Sequence, residues 1–373
     1  MAEGKLIKPD LDFVKRVMDS GGESLKKCYQ CATCSVVCNM TPDDSPFPRK
    51  EMINAQWGLK DKLFSNPDIW LCHQCSDCTA YCPRGAKPGE VLGAVRKLSI
   101  ENYALAGGLG RAVGDPKYLL PLLAVPVVIF AVVLGYLGNL KIPDELPIIY
   151  AERFMPVPFI DGIFIAAATF AALGFFAGIV RYWKDLSANA TQAPKMTLVK
   201  AIISVVTEFL AHKKFKQCEV TVDRAKSHLF VFYGFAGLAV TTTWAIVYLY
   251  AFHRDSPYPL YDPMKILGNI SAVALLFGIM WVISNRKKNA AKAGSGSYYD
   301  WLFISIVTAI VVTGILSEVL RLLQIPILAY PVYFAHLVVI FFLFAYAPYS
   351  KMAHMVYRTT ALVYAKYTGR DKD

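Results

Sequence analysis

Eight of the nine cysteines fall into two runs, Cys28-x2-Cys31-x2-Cys34-x3-Cys38 and Cys72-x2-Cys75-x2-Cys78-x3-Cys82, the second repeating the first at a constant offset of 44 residues. This is the ligand pattern of two 4Fe-4S clusters. A cubane needs four thiolates converging on its iron corners; three from one short-spaced turn reach three irons, and the fourth must come from elsewhere. Each run therefore lends its last cysteine to the other cluster. On that logic Cys28, Cys31, Cys34 and Cys82 hold one cluster, and Cys72, Cys75, Cys78 and Cys38 hold the second. Pro83 after Cys82 follows the usual pattern, whereas Asn39 follows Cys38 and proline comes only at Pro42. Structural zinc pairs two C-x2-C knuckles and has no use for four cysteines at this spacing. Disulfides need an oxidising compartment, and the N-terminal MAEGKLIKPDLDF has no apolar core to export it. Cys218 stands alone in a basic stretch and reads as a plain thiol.

With 55% hydrophobic and only 18% charged residues, a chain of 373 residues is too apolar for a soluble globule. Apolar stretches near 119–140, 160–182, 228–252, 265–284, 301–322 and 332–350 each approach the ~20 residues that a bilayer core requires. The expected fold class is all-α: a helical two-cluster ferredoxin domain followed by a six-span transmembrane bundle. The net charge of +11 would suit nucleic acid if it formed one face, but the basic residues cluster between apolar segments, as membrane topology demands. Connections 183–227 and 286–300 are rich in Lys and Arg, whereas 141–159 and 253–264 carry only Lys141, Arg153 and Arg254. The positive-inside rule then puts both termini and the iron-sulfur head in the cytoplasm, with the chain in the cytoplasmic (inner) membrane.

The seam is the segment ALAGGLGRAVGDPKY at 104–118, read as a linker that breaks helix at Asp115-Pro116, so residues 1–115 form the head and 116–373 the membrane domain. Its glycines follow no strand, so they are not a nucleotide-binding loop. In the head, 11–20, 50–64 and 89–101 read as amphipathic helices. Residues 196–210 are apolar but short and interrupted by Lys200 and Glu208, which suits a helix lying along the interface. Residues 286–298 read as a flexible loop.

Ionisable groups at membrane depth are costly, so each histidine there needs a partner or a function. His336 and His354 are 18 residues apart, five whole helical turns, which would return both to one face of the last helix about 27 Å apart. That gap suits two haems stacked across a bilayer. By depth, His228 pairs with His354, and His253 with His336. The second pairing is strained, because the 25 residues between His228 and His253 span about 37 Å of helix. His253, beside Arg254, Asp255 and two prolines, reads equally well as solvent-exposed; His212 is an alternative ligand for the cytoplasmic haem, and the haem on His336 could also be five-coordinate.

These residues carry a resemblance. The arrangement is similar to the QmoC family, the membrane subunits of quinone-interacting membrane-bound oxidoreductase complexes, in which a heterodisulfide-reductase-C-like iron-sulfur domain is fused to a cytochrome b domain. The segment YFAHLVVIFFLFAYAPYSKMAHMVYRTTALVYAKY resembles the last span of nitrate reductase gamma subunits, and SHLFVFYGFAGLAV their other ligand helix. That helix's second histidine has no counterpart, since Leu238 stands there. The resemblance implies His336, His354 and His228 as ligands of two b haems, flavin-containing heterodisulfide-reductase-A-like partners, and a link to adenylylsulfate reductase and sulfate respiration.

The expected activity is oxidoreductase electron transport between a membrane quinone, taken as menaquinone, and a soluble partner. Glu318 and Arg321, three residues apart on one helix face near the non-cytoplasmic end, suggest a proton acceptor for quinol. A structural ion pair, or an arginine held by a haem propionate, explains the same pair. A heterodisulfide-reductase-type membrane protein serving another carrier and partner is the alternative reading.

Overall fold

The computed structural model describes residues 8–43, 45–190, 193–211 and 223–370. His212 and Cys218 lie outside these residues. The head comprises α1 (Leu11–Val17), α2 (Thr33–Val36), α3 (Arg49–Gln56), α4 (Lys60–Phe64), α5 (Asp68–Leu71), α6 (Asp77–Ala80), α7 (Pro88–Tyr103) and α8 (Gly107–Val113), and no strand occurs among the described residues. The cysteine repeat reappears in the backbone. Helices α2 and α6 are displaced by the same offset as the cysteines, and each follows two left-handed residues, Gln30 and Ala32 in one run and Gln74 and Ser76 in the other. Such residues turn the chain tightly enough for three thiols to face one point.

Two expectations for the head need correction. Residues 50–64 form two helices, because Gly58 turns the chain at φ +67°, and a Cβ there would meet the Asp10 carbonyl oxygen at 2.4 Å. Residues 104–118 hold the helix α8, whose Val113 is fully buried against the head core, so the segment is packed structure and not a loose linker.

The rest of the chain adds α9 (Leu119–Leu137), α10 (Tyr150–Arg153), α11 (Val157–Ala188), α12 (Leu198–Ala211), α13 (Asp223–Phe252), α14 (Pro263–Lys288), α15 (Ala290–Ala293), α16 (Tyr298–Leu322), α17 (Pro326–Ala345) and α18 (His354–Thr368). Among the described residues six helices, α9, α11, α13, α14, α16 and α17, are long and apolar enough to cross a membrane. A helix meets its own backbone hydrogen bonds, which lipid cannot supply. In α13 the three consecutive hydroxyls of Thr241, Thr242 and Thr243 also bond back to carbonyls one turn earlier. Helices α13 and α14 approach closely through small residues; a Cβ on Gly278 would meet Val231 N at 2.8 Å. Helix α12 buries Ala201 and Val205 along α18 and leaves Ile202, Ile203 and Val206 exposed.

The end of the bundle departs from the sequence reading. The sixth span starts at Pro326 and stops at Ala345; two 3-10 turns, Ala347–Tyr349 and Lys351–Ala353, follow before α18 opens at His354. Pro348 cannot donate an amide hydrogen, and it disfavours helix in the residue before it. His336 and His354 therefore stand on different helices, and the five-turn count does not describe their relation.

Helix α18 returns to the head, so the head and the C-terminal helix share one end of the bundle. Trp70 stacks on Tyr357 with centroids 5.6 Å apart, and Tyr103 packs on Tyr182 at 5.1 Å while donating its hydroxyl to Asp185 at 2.9 Å. Such aromatic pairs contribute about 0.5–1.5 kcal/mol each beyond area burial. One cluster of buried apolar residues runs from Phe13 in the head to Ala365 in α18, and a second, smaller one joins α14 to α16 through Leu275, Ile279, Ile304, Val307 and Val311. At the polar edge of the first, the fully buried Asp68 accepts from Lys50 at 2.7 Å and from Arg370 at 2.7 Å.

Glu51, also fully buried, takes Asn66 at 3.1 Å and shares Lys50 with Asp68. Burial, reinforced by the Asp68 charge, pushes its carboxyl from 4.5 up to about 7. A folded-state value above the ordinary one means that the folded protein holds an extra proton between these limits. Its stability therefore falls as pH rises through this range. Glu51→Gln is expected to flatten that part of the pH profile of thermal unfolding in detergent and to raise stability at pH 8; an unchanged slope would refute the assignment.

Candidate redox centres

A small cavity in the head is ringed by Cys28, Cys31, Cys34 and Cys82, with Arg49 and Arg84 beside it. This is the crossed set expected from the spacing. The second set is also gathered. Burial pushes the Cys38 thiol up to about 12, with Cys72 and Cys75 adding to the effect, and raises Cys78 well above its ordinary value, with Cys72, Cys75 and Cys38 as its neighbours. In the first set, burial and the thiols of Cys28, Cys31 and Cys82 raise Cys34 to about 11. Bunched thiolates repel one another, and cationic iron between them removes that penalty. Among the described residues no three Cys, His, Asp or Glu side chains converge on a single ion.

Hydrogen bonds to the sulfurs come from Gln30 Nε2 to Cys28 at 3.4 Å, from Gln74 N to Cys72 at 3.3 Å and from Ala86 N to Cys82 at 3.3 Å. Such donors help set cluster potentials. The two sets differ in exposure: Cys31 is open to solvent, whereas Cys72 and Cys78 are buried.

In the bundle a cavity of about 1700 Å³ runs from the head to the opposite end, lined by α11, α13, α14 and α16 to α18. Ligand pockets usually measure about 300–1,000 Å³, so this one has room for more than one ligand. His228, His336 and His354 all line it. Their hydrogen bonds decide which nitrogen can face a metal. His354 Nδ1 lies against the Lys351 carbonyl oxygen, which can only accept, so Nδ1 carries the hydrogen and Nε2 keeps its lone pair. Thr313 gives its hydroxyl hydrogen to the Ala309 carbonyl at 2.6 Å, so at 2.9 Å it accepts from His336 Nδ1, and again Nε2 is left as the donor atom. Gly314 makes this seat possible, since a Cβ there would lie 2.9 Å from His336 Cε1. Burial lowers the His354 imidazole to about 4, so it is neutral at ordinary pH. Neutral histidines with one oriented nitrogen in an apolar cavity fit the axial positions of a b haem.

His253 does not join them. It is exposed at φ +51° directly after α13, where the next amide, Arg254 N, bonds back to Tyr248 O at 2.9 Å. It terminates a helix, and the expected pairing with His336 is not made.

Glu318 lines the far end of the cavity and bonds Arg321 Nη2 at 3.1 Å, as the sequence suggested, and Lys265 Nζ at 2.6 Å, which it did not. Lys265 belongs to α14, so the contact joins two helices and leaves no periodic mark. Asp161, a lone carboxylate opening an apolar stretch, accepts from the Tyr250 hydroxyl at the same end. At the head end, Arg96 Nη2 and Arg358 Nη1 both donate to the Cys72 carbonyl, at 2.5 and 2.8 Å.

Comparison with known proteins divides along the same lines as the structure. The family described as citrate utilization protein B matches residues 121–373, and the family described as 4Fe-4S dicluster domain matches residues 24–86. Citrate utilization protein B of Escherichia coli is 25% identical over 97% of this chain and 93% of its own. A heterodisulfide-reductase-C-like protein of Archaeoglobus profundus is 37% identical over 24% of this chain and 48% of its own. The C-type component of the H(2):CoB-CoM heterodisulfide,ferredoxin reductase of Methanothermobacter marburgensis is 35% identical over 28% and 54%. The chain thus spans about half the length of these two heterodisulfide-reductase relatives. No solved structure matches.

Cys82→Ser is expected to abolish the electron paramagnetic resonance signal of the Cys28 set and to spare that of the Cys72 set, with wild-type protein holding about eight irons per chain. Zinc in place of iron, or loss of the other signal, would overturn the crossed assignment.

Proposed function

The chain belongs to the citrate utilization protein B family and carries a heterodisulfide-reductase-C-like electron-transfer head with a 4Fe-4S dicluster domain, and from that premise we propose that it conducts electrons between a membrane menaquinone pool and a soluble redox partner. The observation that carries this reading is a single helical turn. His354 lines the membrane cavity at the start of α18, and Arg358 on the same helix bonds the carbonyl of Cys72. In this reading one helix carries a haem ligand and ties down the loop of a cluster ligand.

In this reading residues 1–115 carry the clusters and 116–373 the haems. His354 and His228 hold the head-side b haem, and His336 holds the other. A b haem supplies a one-electron iron centre, which a two-electron quinol needs in order to feed clusters that take electrons singly. The Lys351 carbonyl and Thr313 fix the imidazole orientations. The Cys72 set, whose loop residues His73, Gln74 and Ser76 line the cavity, is the inner relay, and the Cys28 set, with its exposed Cys31, is the outer one that meets the partner. Glu318 accepts a proton from quinol at the far end, with Lys265 and Arg321 orienting its carboxylate. Head and termini face the cytoplasm, following the excess of Lys and Arg in the head-side connections. The partner is a flavin-containing protein of heterodisulfide-reductase-A type, and adenylylsulfate reductase lies beyond it if the resemblance to quinone-interacting complexes extends to function.

The likeness to citrate utilization protein B along 97% of the chain favours a second reading, in which the same conduit serves a different soluble oxidoreductase. Identification of the co-purifying proteins separates the two.

The membrane half is tested by the reduced-minus-oxidised optical spectrum of the purified full chain. His354→Ala and His228→Ala should delete the same haem b band, the double variant no more than either, His336→Ala a different one, and His253→Ala none. Glu318→Gln should slow quinol-driven haem reduction by about tenfold or more with both spectra unchanged. A wild-type spectrum without haem b bands would end this reading.

A further inference from the structure

The head end of the cavity carries more positive charge than its neighbouring carboxylates balance. Lys351 and Arg286 share one carboxylate, Asp300: the lysine is in direct contact with it, and Arg286 Nη1 lies at 3.6 Å. Asp300 is also committed to the start of α16, where it forms a capping box with Ser297 and accepts from Ser297 N at 3.0 Å. Arg96 directs its guanidinium to the carbonyls of Ile69 and Cys72. Glu90 on the same wall pairs with Lys87 at 3.3 Å and also faces Arg286. All of these groups line the cavity that His354 lines, and apolar residues such as Phe303, Ile304 and Phe235 continue it toward the bundle centre. With Lys87, Lys97, Arg224 and Arg358 this end of the cavity carries seven cations against the four carboxylates Glu23, Glu90, Glu208 and Asp300, an excess that is costly at the edge of an apolar chamber unless a bound anion accompanies it.

We infer that Arg96, Arg286 and Lys351 form a collar that receives the two carboxylates of the haem held at His354, with the macrocycle extending into the apolar chamber. The inference rests on the haem reading above. The chemistry matches in both parts: guanidinium and ammonium groups bind carboxylates through charge-assisted hydrogen bonds, and the flat hydrocarbon body takes the apolar walls. The collar also has a redox consequence. Cations beside the propionates favour the reduced, more negative state of that centre, which raises its potential relative to a haem without them. Asp300 opposes the collar and lowers the potential.

The test uses the full chain in detergent, with Lys351→Gln, Arg286→Gln, the double variant, and Asp300→Asn. In the double variant the haem band that His354→Ala deletes should fall about tenfold or more, the loss of roughly one charge-assisted hydrogen bond. The His336-linked band and the cluster iron content, which report a folded protein, should stay at wild-type levels. Each single cation variant should lower the midpoint potential of the same haem, and Asp300→Asn should raise it. A merely structural role for these side chains would not give opposite signs. Wild-type haem content and potential in the double variant would overturn the collar. So would retention of haem with loss of co-purifying phospholipid phosphorus, since the collar would then hold a lipid headgroup. A wild-type chain without any haem would instead refute the function proposed above, so the two failures are distinct.

Discussion

The peptide carbonyl of Cys72 is the point on which the two halves of this molecule are joined. It accepts from Arg96 on α7 of the head and from Arg358 on α18 at 2.5 and 2.8 Å. A carbonyl has two lone pairs, and here both are taken by guanidinium groups from opposite sides of the joint. The interaction fixes a cluster-binding loop against the helix that begins at the cavity histidine. Other polar contacts cross the same seam, Tyr103 to Asp185 and Arg370 to Asp68 among them, but this one acts directly on a cysteine of the cluster loop.

At that joint the core of the head continues into the bundle. The head's buried side chains run without a break into those of α9, α17 and α18. Asp68 and Arg370 close the same interface from its polar edge.

The bundle follows a different logic. Helices α13 and α14 pack as a tight hairpin through glycines, and the large cavity lies beside that hairpin. Its surface is apolar along the middle and charged at both ends: Glu318, Lys265 and Asp161 at one, the cationic collar at the other. The break at Pro348 matters most here. It lets α18 leave the line of α17 and face the head, so that one chain segment supplies both a cavity histidine and the arginine that holds Cys72.

Cysteine spacing and apolar run length were sufficient to specify the 4Fe-4S dicluster head and six helices fit to span a membrane. These are local properties: a thiolate turn depends on the residues between its cysteines, and a span on the continuity of its hydrocarbon. The orientation of His336 and His354 was not legible, because one proline converts a counted helical face into two helices and the tautomers depend on Thr313 and a carbonyl oxygen. His253 looked like a ligand by depth and proved to be a helix end, since its backbone takes the left-handed conformation. Lys265 on Glu318, the two arginines on Cys72 and the collar around Asp300 join residues distant in the chain, and no period or motif marks them. Only the packing of helices against one another brings such charges within hydrogen-bond reach, so the tertiary structure alone decided where the membrane cavity meets the clusters.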